Sequence, residues 1–585
     1  MDRAIPNPGN EEIELYIRTI YSLLRSSGAV RVKSLEETHT GTNSSLHLRA
    51  AEAFPDVGAL AYTYLRLPPE ITDTHTVLLG QSEEVFERRG FSRVDLWKVA
   101  EAPARRRKMY FQDGTLAAFI NSVSDIDDII PMLVAFQIEW NKIHHLLRRA
   151  STIRLLETVV AEQREFTAEE EESLSDVLSL RADKWEQLHR LFRKSFPEIL
   201  LQMAREEKDL SVNLMASSRT DYRRATQGWW ETIATQADQA FLRYRPVYFV
   251  SSNMHSLVNL LAGYARRDEA RVADYLKENN PESLWETYNS LPDDPAHAER
   301  LNLLYYALKY DKSGLEERRA WEAQSGIQQI ENPLYLDVAA QLIELSQLDP
   351  ERCDPRLRVP GMERLRQSNA LIFNVDYPLG MAAYELLSQV TSSVGAIRGV
   401  YIIGKAATLN ARVGDVMIPN VIYDEHSQNT FLFRNVFMAD DVAPYLLSST
   451  VFDNQKGVTV RGTLLQNRDF VGVFYKEGYT DIEMEAGPYL SAVYEDIYPQ
   501  RFPVNEIVNL FINPRYDIGV LHYASDTPYS KRQALLSESL SYRGVDATYA
   551  CSIAVLRRIF QVELEQLARE GVQNNAEVPL PVPSR

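Results

Sequence analysis

The sequence predicts a multidomain fold in which a mostly helical region over residues 1–350 precedes an α/β domain over residues 369–570. Three observations support this prediction. In the first part, apolar residues recur at helical spacing. From Leu371 onward, short β-branched runs alternate with helical patterns, which is typical of layered α/β domains. Between the two parts, residues 351–368 are polar and interrupted by prolines, and we interpret them as a linker.

The first part contains several predicted helices and is long enough for two subdomains. One long helix is expected to begin near Pro131, because proline is tolerated in the first turn of a helix. Another should follow Thr167, whose hydroxyl makes it a good N-cap. The apolar patches at 77–80 and 247–250 fit either a short strand or the start of a helix. The role of this part is not predicted by its sequence.

Two polar clusters in the first part suggest ligand binding, although each has a simpler explanation. His144 and His145 lie close to Glu139, but adjacent histidines on a helix point about 100° apart, which favours a surface or core role over a metal site. The run from Arg105 to Lys108 could contact phosphate or form a solvated loop. The solvated loop is the commoner outcome in an acidic chain.

The second part is predicted to alternate strands and helices, and to end in a disordered tail at residues 571–585 that is rich in proline. The predicted strands are 371–375, 399–404, 416–421, 458–465, 507–512 and 518–523, and the predicted helices are 381–390, 488–498 and 545–567.

Composition excludes several classes of protein. The 585 residues carry a formal net charge of −18, which disfavours broad contact with nucleic acids or anionic membranes. No apolar run approaches the ~18 residues of a membrane span, and the first residues lack the apolar core of a signal peptide. The cysteines, Cys353 and Cys551, lie far apart without metal-type spacing. We therefore expect a cytoplasmic protein that needs no metal.

The stretch from Asp481 to Tyr489 is the first candidate for chemistry. An apolar lead-in ends in Glu483, Met484 and Glu485, and a helical pattern follows. Because ligands of open α/β sheets bind at the carboxyl ends of strands, these carboxylates are placed to accept hydrogen bonds from sugar hydroxyls. The alternative is an acidic first helical turn, favoured by the helix dipole.

Two further strand ends carry polar residues. Gly399 to Ala406 has the spacing of a P-loop but lacks the serine or threonine that binds magnesium, so we reject an NTPase site. Lys405 then either meets an anion or forms a surface ion pair. Ser525 and Asp526 follow an apolar strand, where the aspartate is either a general acid or the N-cap of a helix beginning near Ser530.

Taken together, four motifs in one order resemble the nucleoside phosphorylase family, which includes purine nucleoside phosphorylase, uridine phosphorylase and methylthioadenosine/S-adenosylhomocysteine nucleosidase. The motifs are Gly404-Lys405-Ala406, Arg412-Val413-Gly414-Asp415-Val416, Ile482-Glu483-Met484-Glu485-Ala486 and Ala524-Ser525-Asp526. The resemblance covers residues 369–570. It implies a three-layer αβα sandwich around a mixed, partly closed sheet, and cleavage or formation of an N-glycosidic bond in a nucleoside or nucleotide.

The resemblance also implies roles for individual residues. Glu485 would hold the ribose hydroxyls, Met484 would pack on the sugar, and Asp526 would protonate or hydrogen-bond the leaving purine at N7. The neighbouring Glu483 and Ser525 complete this predicted binding set. Such roles suit an oxocarbenium-like transition state, because protonating the base eases its departure and a carboxylate stabilises positive charge.

The sequence departs from the family pattern at the nucleophile. Phosphorolytic members carry an early arginine that binds phosphate, and hydrolytic relatives carry a glutamate that activates water; neither is present here. Asp376 is the local carboxylate and our substitute for that role. Gly404-Lys405 replaces the family's phosphate-site pattern. Lys405 therefore either binds phosphate or fills the phosphate site and abolishes phosphorolysis. Residues 465–467 fall where the base-contacting loop is expected.

Three hypotheses follow from these motifs. The first is a phosphorylase or nucleosidase acting on a purine-type nucleoside or nucleotide, with no cofactor beyond phosphate as a co-substrate. The second is an inactive sensor that kept the ribose pocket but lost turnover. The third is a structural scaffold. Because relatives are usually oligomers, we also expect self-association.

Overall fold

The computed structural model describes residues 11–26, 28–102, 108–215, 219–237, 242–330, 336–499, 501–511, 515–527 and 542–576. The strands are β1 Val30–Arg31, β2 Thr76–Gly80, β3 Lys98–Val99, β4 Met109–Gln112, β5 Thr115–Phe119, β6 Ser211–Leu214, β7 Pro246–Ser251, β8 Ile327–Ile330, β9 Ala340–Glu344, β10 Leu371–Val375, β11 Ala396–Thr408, β12 Val416–Asp424, β13 Asn429–Leu432, β14 Val451–Thr459, β15 Asp481–Glu483, β16 Ile507–Asn509 and β17 Asp517–Asp526.

The α-helices of the described residues follow the same numbering along the chain. They are α1 Glu11–Ser26, α2 Glu36–Gly41, α3 Val57–Tyr64, α4 Glu83–Glu87, α5 Val123–Leu147, α6 Ala150–Ala161, α7 Ala168–Val177, α8 Ala182–Phe192, α9 Phe196–Arg205, α10 Arg219–Gln236, α11 Ser256–Ala262, α12 Tyr264–Arg267, α13 Glu269–Asn279, α14 Leu284–Ser290, α15 Ala298–Ala307, α16 Leu315–Ala323, α17 Met381–Ser393, α18 Ala439–Val442, α19 Arg468–Lys476, α20 Ala486–Ile497 and α21 Val545–Ala576. None of these helices combines the length and apolarity needed to cross a membrane.

The first part of the chain contains a sheet as well as helices. Six strands pair in the order β1-β6-β2-β5-β4-β3, with β2 parallel to both β5 and β6 and the other pairs antiparallel. The patch at 77–80 is therefore a strand. The prediction of a mostly helical region missed this sheet because its strands are two to five residues long, too short for a clear alternation.

Helix α5 is the central helix of the first part, and its start differs from the prediction. It begins at Val123, where Ser122 and Asp125 form a capping box, and Pro131 lies inside the helix instead of in its first turn. The capping box satisfies the first backbone N–H groups, which overrides the proline as a start signal. The prediction that Thr167 is a helix N-cap is confirmed, because it forms a capping box with Glu170 at the start of α7.

The large sheet draws strands from both sides of the predicted linker. Its order is β16-β13-β12-β14-β15-β11-β7-β10-β9-β8, and β17 pairs with β11 and β12. Strand β7 lies between β10 and β11 and is parallel to both, although residues 252–370 separate it from β10 in sequence. The α/β layer therefore extends beyond the predicted range of 369–570, since β7, β8 and β9 precede it. The patch at 247–250 is a central strand.

Five strands of this sheet close into a ring. Strand β11 pairs with β17 and β15, β17 pairs with β12, and β14 joins β12 to β15. Parallel and antiparallel pairs both occur, so the sheet is mixed, as predicted. Helices cover both faces of its central strands: Tyr248 and Tyr401 pack with residues of α11 to α15 and α21, whereas Phe249 and Ile402 pack with residues of α10, α17 and α20.

Residues 351–368 are packed in the core and do not behave as a loose linker. Two short 3-10 helices occur here, and Leu357, Val359, Met362 and Leu365 are buried against α21 and its neighbours. The linker was predicted from its prolines. A proline interrupts helices and strands, but the segment that contains it can still be buried, which explains the difference. The prediction of a disordered tail is wrong for residues 571–576, which belong to α21; residues 577–585 lie outside the described part of the chain.

The two parts join at the segment before α19, which was predicted to contact a base. Leu464 and Leu465 are buried in the core of the first part. Thr463 accepts a hydrogen bond from Tyr62 at 2.6 Å, and Asn467 caps α19 while donating to Thr42 O at 3.1 Å. These side chains are occupied by packing, so the prediction of a base-contacting loop at 465–467 is not supported here.

We predict that Leu464→Ala lowers the free energy of unfolding by about 2–5 kcal/mol, because it opens a cavity in a buried junction. Urea denaturation measures this change. Leu447→Ala is the control: Leu447 is 47% exposed, whereas Leu464 is 2% exposed, so the control should change stability by less than about 0.5 kcal/mol. Equal effects of the two substitutions would contradict the assigned junction.

Candidate functional site

The candidate site lies where the central strands of the large sheet end. The parallel register sets Ser251 of β7 beside Val375 of β10 and Ile402 of β11, and sets Gly404 of β11 beside His522 of β17. The carboxyl ends of these strands therefore meet at one edge. Most of the residues predicted for the site lie at this edge and are partly or fully exposed: Asp376, Gly404, Lys405, Met484, Glu485, Ser525 and Asp526.

Glu483 supports the site but does not face it. Its carboxylate is buried and accepts hydrogen bonds from Glu485 N at 2.6 Å, from Ala486 N at 2.7 Å and from the Thr459 hydroxyl. Burial raises its pKa, although these donors oppose the shift. Glu483 thus caps α20 and fixes the direction of the following residues, so its predicted contact with substrate is replaced by a structural one.

Met484 and Glu485 are left partly exposed by this cap. Met484 packs against a buried apolar cluster that includes Ile482 and Val460. Glu485 is the residue immediately before α20, and its negative charge acts on both the Tyr489 hydroxyl and His522. Tyr489 is fully buried, and burial raises its pKa. The carboxylate therefore acts on both a buried phenol and a buried imidazole.

A β-bulge shapes the end of β17. Ala524 pairs with Ala406 and Asp526 pairs with Ala407, so Ser525 is the extra residue. Its hydroxyl donates to Asp526 Oδ2 at 2.8 Å. A bulge turns the following side chain relative to a regular strand, and bulges are common beside active sites. The serine and aspartate predicted from the sequence are thus coupled.

The bulge determines on which face of the sheet the side chain of Asp526 lies. Side chains alternate along a strand, and Tyr523 packs on the face covered by α21. Lys405 pairs with Tyr523, and Asp526 pairs with Ala407, so all three residues share that face. His522 pairs with Gly404, so its side chain lies on the opposite face of the sheet.

Asp376 is the residue that follows β10. Its carboxylate accepts a hydrogen bond from Tyr377 N at 3.1 Å, and the Tyr377 hydroxyl lies 3.2 Å from that of Tyr523. Asp376 is thus connected to β17 through two tyrosines. Burial raises the pKa of the Tyr377 phenol well above its usual value, so it stays protonated and able to donate.

Sequence reasoning missed the end of β7, which lies between Asp376 and Gly404. Ser252 donates to Asn374 Oδ1 at 2.8 Å, and Asn253 Oδ1 accepts from Ser256 N at 2.7 Å at the start of α11. The available signal was an apolar run followed by three small polar residues, the pattern of a strand that ends at a sheet edge.

The other predicted clusters have structural roles. His144 Nδ1 lies 2.9 Å from Met203 O, and Glu139 bonds to His47 and Lys142. Within the described ranges, no three His, Cys, Asp or Glu side chains form a group that could hold a metal ion. Of the basic run, residues 105–107 lie outside the described residues. Surface cavities of about 440, 570 and 620 Å³ lie beside β8 and along α1, away from the strand ends.

The first part of the chain reaches the margin of the site through His426. Its Nε2 lies 3.2 Å from Ser124 Oγ in the first turn of α5, and its Nδ1 lies 2.9 Å from Asp424 Oδ1. Ser124 Oγ also accepts from Met381 N at 2.9 Å at the start of α17. Gly380 has a φ of +52°, and a Cβ there would collide with Ser124, so glycine is required.

Glu425, next to this histidine, should make stability depend on pH. Burial raises its pKa from 4.5 to about 7, against the opposing effects of Arg461 N and of the His426 and Arg461 charges. Because the folded pKa exceeds the unfolded one, stability is full below about 4.5 and falls as pH rises through 7.

We therefore predict that Glu425→Gln is more stable than the wild type by on the order of 2 kcal/mol at about pH 8 and gains nothing at about pH 5. Thermal unfolding at the two pH values measures the difference. Glu477→Gln, at an exposed carboxylate, is the control and should match the wild type at both. A gain that is the same at both pH values would contradict the assigned ionisation.

Comparison with solved structures finds distant similarity to nucleoside-processing enzymes. The 5'-methylthioadenosine/S-adenosylhomocysteine nucleosidase of Campylobacter jejuni is 10% identical, with a TM-score of 0.27, over 42% of this chain and 94% of that one. The S. pneumoniae enzyme, solved with a transition-state inhibitor, is 9% identical, with a TM-score of 0.28, over 55% and 99%. Uridine phosphorylase of Vibrio fischeri is 8% identical, with a TM-score of 0.28, over 42% and 87%.

At such TM-scores these similarities say nothing of catalysis in this chain. No curated protein matches it. One family model matches residues 32–561, which spans both parts of the chain and the joint between them. The chain belongs to that family, a family of unknown function (DUF6909).

Proposed function

We propose that the chain binds a purine-type nucleoside or nucleotide at the ends of β7, β10, β11 and β17, and cleaves its N-glycosidic bond. The observation that carries the proposal is that two partly exposed carboxylates, Glu485 and Asp526, lie just after the end of β15 and at the end of β17, and both strands pair with β11. A ligand that spans these two strand ends can meet one carboxylate with its sugar and the other with its base.

The chemistry assigns a different task to each carboxylate. Glu485 accepts hydrogen bonds from the ribose hydroxyls, and its negative charge stabilises the positive charge that develops on the sugar. As the general acid, Asp526 passes a proton to N7 of the purine as the bond to C1′ breaks. The bond electrons leave with the base, and either phosphate adds to C1′ or water adds to it and releases a proton. The Ser525 hydroxyl orients the Asp526 carboxyl group.

Two residues are candidates for placing the nucleophile. Lys405 shares the face of Asp526 and supplies a positive charge for phosphate, while Asp376 is the carboxylate that would position water. Phosphate as co-substrate and purine specificity are parts of this proposal. Self-association and a cytoplasmic location stay predictions.

A nucleoside sensor without turnover is the second candidate. It is favoured by the Asp376 carboxylate, which accepts a hydrogen bond from the adjacent Tyr377 N and so is partly engaged within its own turn. A sensor would bind nucleosides through Glu485 and release no base. A scaffold, the third hypothesis, would bind none.

Wild-type protein should first be screened by thermal shift against nucleosides and nucleotides, with and without phosphate, and each ligand that binds should be assayed for free base. A specific ligand at 100 times its Kd stabilises the folded state by about 2.7 kcal/mol. Base release that requires phosphate identifies a phosphorylase, and release without phosphate identifies a nucleosidase. Binding without release supports the sensor, and no binding contradicts both.

We predict different defects for the two carboxylate variants. Asp526→Asn should lower the rate of base release by about 10²–10⁴-fold with little change in binding, since it removes the proton donor. Glu485→Gln should weaken binding by about 1.5–3 kcal/mol, since it removes a charged acceptor. Glu477→Gln and Asp440→Asn, at exposed carboxylates, are the matched controls. Wild-type behaviour of both site variants would refute the assignment.

A further inference from the structure

Four buried side chains in the first part of the chain form one hydrogen-bonded network. The Tyr16 hydroxyl lies 3.2 Å from His39 Nδ1. His39 Nε2 lies 2.9 Å from His47 Nδ1, and His47 Nε2 lies 2.7 Å from Glu139 Oε1. None of the four residues is more than 1% exposed. Because buried ionisable groups are costly unless they are paired, the network depends on where its protons lie.

The network is fully paired when both imidazoles are neutral. Glu139 Oε1 also accepts from Lys142 Nζ at 2.6 Å, so the carboxylate is an acceptor and His47 donates to it through Nε2. A neutral His47 then accepts at Nδ1 from His39 Nε2, and His39 accepts at Nδ1 from Tyr16. If both rings took up a proton, two N–H groups would face each other across the 2.9 Å contact, and that hydrogen bond would be lost.

The two histidines bracket residues 40–46, a loop that holds the second part of the chain. Ser45 N donates to Gln466 O at 2.8 Å, and Arg468 N donates to Asn43 O at 3.0 Å. Residues 466–468 connect the buried segment that joins the two parts to the start of α19. The contact between the two rings ties the ends of the loop together, and so fixes the loop that makes these hydrogen bonds.

The surroundings of the network oppose protonation of His39. Burial, helped by the charges of His47 and Lys142, lowers its pKa well below 6.5. Glu139 contacts His47 directly, and Lys142 offsets the charge of this carboxylate. The carboxylates of the neighbouring elements have other partners: Glu36 accepts from Gln137, Asp56 from the first N–H groups of α3, Glu12 from Asn467 and Asp469 from Asn43.

We propose that residues 40–46 are a pH-sensitive latch, which releases the segment before α19 when His39 and His47 take up protons. The inference is independent of the proposed function. In the open latch each ring can bind a proton near its ordinary pKa of about 6.5, whereas the closed network resists protonation. Opening is therefore coupled to proton uptake. The latch is secure above about pH 6.5 and weakens as pH falls below it.

Glu425 near the same joint has the opposite effect. Its carboxylate accepts from Arg461 N at 3.2 Å, and its raised pKa stabilises the folded state at low pH. A loss of structure on acidification therefore cannot come from Glu425. Ordinary carboxylates titrate near pH 4, below the range in which the histidines act.

Hydrogen exchange of the full chain tests the latch, with mass spectrometry that resolves the amides of Ser45 and Arg468. Both amides donate across the joint, and their exchange is corrected for its intrinsic dependence on pH. Their protection should fall by about 10- to 100-fold per pH unit below about pH 6.5, which corresponds to the uptake of one or two protons on opening.

Neutral variants separate titration from packing. His39→Gln and His47→Asn each keep a polar group near the ring nitrogen that faces the other histidine, but neither replacement titrates. Each single variant should show a shallower fall in protection than the wild type, and the double variant should show none. His145→Gln, at an exposed histidine of α5, is the control and should keep the wild-type slope.

Each outcome either supports or overturns the latch. Constant wild-type protection between about pH 6.5 and 5.5 refutes it, and so does a fall that persists in the double variant. If the double variant does not fold, the wild type decides alone. Protection at Ser45 and Arg468 should then fall before that of the Ile559 amide in α21, whereas an equal fall at all three amides means global unfolding and contradicts a latch.

Discussion

The backbone pairing of β11 is the constraint on which the rest of the structure depends. This 13-residue strand pairs in parallel with β7 on one side and with β17 on the other, and its last residues pair with β15. Through β15 and β17 it closes the five-stranded ring. Because pairing fixes the register of every neighbour, it also sets which residues reach the sheet edge together.

Several ionisable groups near this edge of the sheet are buried. Glu483, Asp481 and His522 are all nearly inaccessible, yet each is tied to a partner that offsets its desolvation. Glu483 uses the first N–H groups of α20, and Asp481 uses an imidazole. Such groups stabilise little by themselves, since desolvation cancels most of the attraction. The Glu483 cap holds the backbone of the partly exposed Glu485 in place.

The first part of the chain acts on the second through a small number of polar contacts. Asp127 of α5 accepts from Arg461 Nε at 3.2 Å and from Tyr21 at 2.8 Å, and Ser124 links His426 to Met381 N. These contacts secure the turn that starts α17 and the segment before α19. Helix α17 begins shortly after Asp376, so a movement of the first part would disturb the turn that follows this residue.

By itself the sequence determined the elements that carry strong local signals. The strand at Leu371, the N-cap at Thr167 and the polar ends of β15 and β17 follow from spacing and side-chain chemistry alone. It also identified Glu485 and Asp526 as candidates. Short strands such as those of the first sheet carry too few residues for a period of two to stand out, and they were missed.

Only the tertiary structure decided how these elements combine. The insertion of β7 between β10 and β11 joins residues more than a hundred positions apart, and no local pattern encodes such a pairing. Glu483 is a buried cap, whereas Glu485 is partly exposed. This difference likewise depends on where α20 begins relative to Thr459. His522 and Asp481 look ordinary in the sequence, because a buried ion pair exists only once two distant strands pack together.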